Sequence, residues 1–269
     1  MPLPPLPNPT NIQGQLVFLG TGTSVGVPCI GCGCAVCQSD DPRNTRLRCS
    51  LALGLPGGTL LIDSTPDLRY QFLRERIPYA DAILYTHEHT DHTLGLDETR
   101  LFYYATGRAT PLYCERLVEE RLRSAFEYAF VPGNASYAGG VPMIEFHRIE
   151  LEPFTLLGQR IIPLRLKHGR FDVLGFRFGN IAYCTDTNLI PPESLSLMHG
   201  LDVLIVDALR PRPHVSHFSV DEAVELAQQL QPKRTLFTHM GHEIDHATIN
   251  AVLPPGMELA YDGLRLELT

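Results

Sequence analysis

Short apolar runs bounded by Gly, Pro and Asp recur along the chain. They read "QLVFLG" (15–20), "SLALGL" (50–55), "GTLLID" (58–63), "AILYT" (82–86), "RIIPLRL" (160–166), "LGFRFG" (174–179), "NIAYCTD" (180–186), "VLIVDA" (203–208), "RTLFTH" (234–239) and "LRLEL" (264–268). Their lengths suit strands buried in a sheet, and their density predicts two sheets. Helical patterns fall between some of them. "TPDLRYQFLRERI" starts with Thr65 as a candidate N-cap and Pro66 in the first turn. In "SVDEAVELAQQL" Ser219 and Glu222 have capping-box spacing, and Val220, Ala223, Val224, Ala227 and Leu230 share a face. "LVEERLRSAFEYAF" is a third helical stretch, and "VPGNASYAGGVP" (131–142) is a candidate lid or substrate loop. The pattern predicts one α/β domain over 15–269, after a loose Pro-rich tail over 1–14.

Composition narrows the function class. The chain has 269 residues, enough to bury a sizeable core, and a net charge of −8. An acidic chain does not carry the basic field of a nonspecific nucleic-acid binder, so no large nucleic-acid partner is expected. The N-terminus lacks the cationic and apolar regions of a secretory signal. No apolar run approaches the roughly 18 residues of a membrane span. The expected location is the cytoplasm, where disulfides are rare, so the cluster Cys29, Cys32, Cys34 and Cys37 points to metal or redox chemistry.

The strongest chemical signal is "YTHEHTDHTLG", with His87, His89, Asp91 and His92 directly after an apolar run. Imidazole and carboxylate are the usual ligands of divalent metals at neutral pH. More ligand candidates follow later runs: His168 in "LKHG", Asp186 in "YCTDT", and His239 and His242 in "LFTHMGHE". The carboxylate of Asp186 has two oxygens and can bridge two metals.

The run His-x-His-x-Asp-His, followed by a His, an Asp and a His after later strands, resembles the metallo-β-lactamase superfamily. The resemblance implies a four-layer αβ/βα sandwich and two divalent catalytic metals, Mn²⁺, Zn²⁺ or Fe²⁺. It implies that His87, His89 and His168 hold one metal, that Asp91, His92 and His239 hold the other, and that Asp186 bridges. It places Asp63 of "LLID" behind the ligands. "FLGTGTSVGVP", the cysteine cluster, "DPRNTRLRCS", "THEHTDHTLGLDETR", "DALRPRPHVSHFSVDEA" and "THMGHE" resemble the branch of the phosphoribosyl cyclic phosphate phosphodiesterase of phosphonate (carbon–phosphorus lyase) catabolism. This implies hydrolysis of a small, cyclic, ribosyl or nucleotide-like phosphodiester. Two cations can acidify a shared water and clamp a phosphoryl oxygen. The catalytic candidates are Asp91 and His217, the latter as a non-ligand proton donor, with His214 a weaker choice; Arg210 and Arg212 could meet phosphate but read rather as solvated residues of a Pro-rich loop. Relatives suggest a homodimer.

Rival readings are a lactone or thioester hydrolase on the same fold, a tRNA-processing nuclease, a persulfide-oxidising or other redox relative, and a non-enzymatic binding protein. The cysteine spacing C-x-C-x₂-C suits a knuckle around a structural Zn²⁺ held by Cys32, Cys34 and Cys37. Sequence alone offers Cys29 as the fourth ligand; the resemblance offers His242. Cys49, Cys114 and Cys184 read as small apolar residues, and His147, His199 and His246 as surface residues.

Overall fold

A computed structural model describes residues 4–131, 137 and 139–268. Most of the candidate lid, 132–136 and 138, lies outside the described residues. The chain forms two compact units, each built on its own seven-stranded sheet.

The first unit takes residues 1–19, 50–150 and 265–268. Its strands are β1 (Gln15–Gly20), β2 (Ser50–Leu55), β3 (Gly58–Ile62), β4 (Ala82–Leu84), β5 (Thr110–Cys114), β6 (Ile144–Arg148) and β14 (Arg265–Glu267). They lie in the order β14-β1-β2-β3-β4-β5-β6. β14 pairs antiparallel to β1, β2 and β3 form an antiparallel hairpin, and β3, β4, β5 and β6 run parallel. Helices α1 (Leu68–Glu75), α2 (Thr90–Thr93), α3 (Arg100–Thr106), α4 (Arg116–Ala125) and α5 (Glu127–Phe130) fill the connections. Leu68, Phe72, Phe102, Val118 and Leu122 from these helices share a core with Val17, Leu61, Ile83 and Leu112 of the sheet. α1 starts later than the sequence suggests. Thr65 Oγ1 accepts from the Asp67 N–H and donates to Gln71, so Thr65 and Pro66 form a turn ahead of the helix. The third helical stretch is broken at Phe126, whose φ −115° and ψ 37° separate α4 from α5. Inside the segment expected to be a tail, Ile12 is buried, and the Thr10 N–H donates to the Arg76 carbonyl at 3.0 Å.

The second unit takes residues 20–49 and 151–264. Its strands are β7 (Phe154–Leu156), β8 (Gln159–His168), β9 (Phe171–Phe178), β10 (Ile181–Cys184), β11 (Val203–Asp207), β12 (Arg234–Thr238) and β13 (Met257–Leu259), and its helices are α6 (Pro192–Ser196), α7 (Val220–Leu230) and α8 (His246–Asn250). β7 to β10 alternate in direction, whereas β10, β11, β12 and β13 are parallel. Two reversals make β8 parallel to β10. The C-terminal ends of β8, β10, β11 and β12 therefore share one edge of the sheet, where ligands gather in α/β sheets. α7 has its capping box: Ser219 N–H donates to Glu222 Oε2 at 2.8 Å, and Glu222 N–H donates to Ser219 Oγ at 3.3 Å. Its buried Val220, Ala223, Ala227 and Leu230 pack with Leu204, Val206 and Phe237.

His246, expected at the surface, is buried at 3% exposure at the start of α8. Burial, then the neighbouring Arg43 and Arg46, push its imidazole down to about 4, against the partial opposition of Asp41 and Asp245. The unfolded chain binds this proton near 6.5. The neutral ring therefore contributes stability in full above pH 6.5, and that contribution is lost as pH falls toward 4. His246→Leu is expected to flatten the decline of unfolding free energy across this window, measured by urea titration at several pH values. An unchanged slope contradicts the assignment.

Candidate metal centre

In the first unit, the parallel strands β3 and β4 end on the same edge, and the chain turns there at Asp63 and His87. Asp63 is fully buried with φ 61°, a left-handed conformation that an aspartate tolerates at a cost. Its carboxylate is fully used. Oδ1 accepts from the Thr86 N–H at 2.9 Å, and Oδ2 from the Thr86 hydroxyl and His92 Nδ1 at 2.8 Å each. Burial raises its proton affinity, while His92 and Thr86 work against that. Thr86 Oγ1 in turn lies 2.9 Å from His87 Nδ1. Asp63 thus aligns His92 directly and His87 through Thr86, and the Nδ1 edge of each ring faces into the protein.

The ligand run is a tight turn. The His92 N–H donates to the His89 carbonyl at 3.0 Å, and the Thr93 hydroxyl donates to the same oxygen at 2.9 Å. Gly95 lets the turn close: a Cβ there would sit 2.0 Å from the Thr65 carbonyl oxygen. The His87 ring centroid lies 4.6 Å from that of His89 and 4.3 Å from that of His92, and Asp91 Oδ2 is 3.2 Å from His92 Nε2. Three imidazoles this close repel if protonated. As neutral donors beside a carboxylate they suit a divalent cation.

In the second unit, His168 ends β8, Asp186 follows β10, Asp207 ends β11 and His239 follows β12. Asp186 and His239 also take left-handed φ, 53° and 58°. His168 Nδ1 donates to the Ser216 carbonyl at 2.8 Å, which directs Nε2 outward as the coordinating edge. His239 Nε2 is 3.2 Å from Asp186 Oδ1, and the Thr185 hydroxyl donates to Asp186 Oδ2 at 2.7 Å. Donor atoms of His168, Asp186 and His217 lie within 4.8 Å of one another.

His217 is nearly buried, and its Nδ1 is 2.6 Å from Asp207 Oδ2. Asp207 also accepts from the Thr187 N–H at 3.0 Å. The sequence reading missed Asp207, although "VLIVDA" places an acidic residue at a buried strand end as "LLID" does. The His217 ring stacks on His239 with centroids 4.8 Å apart and lies 4.5 Å from His168. His214 is farther away, at 5.2 Å from His217, and burial beside His217 and Arg210 lowers its proton affinity. Arg210 donates to the carbonyls of Arg212 and Pro213, and Arg212 pairs with Glu243 at 2.8 Å. Both arginines are thus engaged within their own loop surroundings.

The second unit also holds the thiol cluster. Cys32, Cys34, Cys37 and His242 bring their donor atoms within 4.8 Å of one another, with Cys32 Sγ and Cys34 Sγ at 3.3 and 3.4 Å from His242 Nδ1. A tetrahedral zinc with ordinary bond lengths separates sulfur and nitrogen ligands by about 3.6 Å. The three thiols and one imidazole fit such an ion. Cys29 turns its thiol to the Gly26 carbonyl at 3.3 Å, and its N–H donates to Cys37 Sγ. Cys49, Cys114 and Cys184 are buried, and burial pushes the Cys114 and Cys184 thiols up to about 12.

A beta-lactamase superfamily domain matches residues 59–240. A solved structure described as a new diphosphatase from the PhnP family is 45% identical, with a TM-score of 0.88, covering 95% of this chain and 98% of that one. The chain belongs to the beta-lactamase superfamily, in its PhnP family. Zn²⁺-bound PqqB from Methylobacterium extorquens shares the metallo-β-lactamase fold at 18% identity, with a TM-score of 0.74 over 94% of this chain and all of that one. An octanoyltransferase of Porphyromonas gingivalis is 34% identical over 93% of this chain. The chain spans about half of that relative, 51% of its length. Divalent metal binding follows from the metallo-β-lactamase fold and the donor sets.

Asp63→Ala is expected to weaken divalent-metal binding 10- to 100-fold by releasing His92 and Thr86. Competition with a chromogenic chelator measures this; unchanged affinity contradicts the role given to Asp63.

Proposed function

We propose that the protein is a binuclear-metal-dependent phosphodiesterase acting on a small phosphodiester, cyclic and ribosyl or nucleotide-like. In the first unit His87, His89, Asp91 and His92, and in the second His168, Asp186 and His239, would serve as catalytic-metal ligands. When bound, divalent metals polarise a phosphoryl oxygen and acidify a water toward neutral pKa. Cys32, Cys34, Cys37 and His242 would hold a structural Zn²⁺. Membership of the PhnP family, with a diphosphatase as a 45% identical relative, supports a phosphorus ester over a carbonyl substrate.

The observation that carries the reading is the His217–Asp207 pair at 2.6 Å. Hydrolysis of a phosphodiester with an alkoxide leaving group needs a proton at the departing oxygen. Asp207 fixes the His217 ring through Nδ1 and offsets its charge when both nitrogens are protonated, so Nε2–H can donate that proton. Asp207 is itself oriented by the Thr187 N–H. His217 therefore serves as proton donor and Asp207 as its positioning residue. The fully buried Asp63 holds the His92 ring in place through its Nδ1.

Bis(p-nitrophenyl) phosphate with added Mn²⁺, assayed beside a lactone and a thioester, tests the class. Turnover of the phosphodiester, its loss on chelation and its recovery with Mn²⁺ are expected; turnover of the lactone or thioester alone overturns the reading. His217→Ala is expected to lower kcat about 10²- to 10⁴-fold for a diester with a poor leaving group, and far less for p-nitrophenolate, at unchanged metal content. Parallel loss of metal makes His217 a ligand instead.

A further inference from the structure

Among the described residues Arg46, at 1% exposure, is the bulkiest so deeply buried, and Asp262, Asp245 and Asp41 act on it only through longer-range charge. Its guanidinium goes to backbone and amide oxygens. Nη1 donates to the Gly241 carbonyl at 3.1 Å, and Nη2 donates to the Ile244 carbonyl at 2.8 Å and to Asn44 Oδ1 at 3.0 Å. Its Nε has no hydrogen-bond partner among the described residues. Burial lowers the proton affinity of the group to about 10, with Asp262, Asp245 and Asp41 opposing, so it stays charged at neutral pH.

Such a group is a poor stabiliser. Apolar side chains of similar volume in place of buried charges are often neutral or better for stability. What a planar guanidinium provides is fixed geometry, because its fork sets two acceptors relative to each other. Here both carbonyls belong to one short segment, and His242 lies between them. Asn44 extends the hold: its Oδ1 accepts from the His246 N–H and its Nδ2 donates to Asp245 Oδ2, both at 2.9 Å. The segment 241–246 is thus hydrogen-bonded at Gly241, Ile244, Asp245 and His246 by two side chains that closely follow the cysteine knuckle in sequence. Gly22 completes the frame. It bridges to Met240 and Arg48, and a Cβ on it would lie 2.8 Å from the Arg46 carbonyl oxygen.

We infer that Arg46, seconded by Asn44, is a positioning residue that shapes the 241–246 loop so that His242 Nδ1 meets the Cys32, Cys34 and Cys37 thiols. This rests on the reading of those four residues as a zinc clip. The clip then closes onto a loop set by side chains rather than by the metal, and zinc retention depends on a residue that does not touch zinc.

The test follows zinc release from the folded, zinc-loaded protein to a chromogenic chelator. Arg46→Met keeps bulk and removes the fork; Asn44→Ala removes the relay and keeps the cation. Leu204→Ala, in the core of the same unit, serves as a control matched in lost thermal stability. Arg46→Met is expected to release zinc at least about tenfold faster than the wild type, and Asn44→Ala severalfold faster, with the control at the wild-type rate. Wild-type rates in both variants, or equal acceleration in the control, overturn the inference. If Arg46→Met does not fold, Asn44→Ala decides by the same criterion. Cys34→Ser separates the underlying reading: if it keeps all the zinc, the clip itself is wrong and the inference falls with it.

Discussion

A buried imidazole must have its ring nitrogens fixed before it can serve as a ligand or a proton donor. That constraint organises this protein. Asp63 takes Nδ1 of His92, Thr86 meets Nδ1 of His87, the Ser216 carbonyl takes Nδ1 of His168, and Asp207 takes Nδ1 of His217. Asp63, Thr86 and Asp207 sit at or just beyond strand ends, and Ser216 lies in the loop after β11. Parallel strands end on one edge, so the residues following them converge without long loops. The left-handed φ values at Asp63, Asp186 and His239 are the local cost of turning the chain sharply there.

The sequence made the strands of both sheets legible where they are uniformly apolar. β1 and β2 begin and end where their patterns do, and β10, β11 and β12 lie within the runs that announce them. β5, β6, β7 and β13 went unread because edge and near-edge strands carry mixed residues: Thr110–Cys114 includes a proline, and Ile144–Arg148 alternates with charges. The break at Phe126 is set by packing in the core of the first unit, which helical periodicity does not encode.

At the site, the visible residues were those whose type announces chemistry. The histidines and Asp186 stand out because a His or Asp after an apolar run is conspicuous. Asp207 and Arg46 did not. A lone acid at a strand end and an arginine in a basic stretch look like solvated residues, and only three-dimensional burial shows that they hold other groups in place. The burial of His246 goes unseen for the same kind of reason: nothing near it in sequence tells that Asn44 and the arginines enclose it. For the thiol cluster, spacing alone offers Cys29, and only the family resemblance points to His242. The fold turns Cys29 toward Gly26 and brings His242 across a separation of more than 200 residues to the other three.

The central proposal is that the chain carries two kinds of metal centre: a closed one of thiols and one imidazole, and a catalytic one of imidazoles and carboxylates. Anomalous diffraction from crystals of the metal-loaded protein, collected at the zinc and manganese edges, tests it most directly. The account predicts zinc at Cys32, Cys34, Cys37 and His242, and two further metal peaks at the histidine and aspartate ligands, with Asp186 contacting both. Metal confined to the thiol site, or a single peak at the histidines without Asp186, would contradict it.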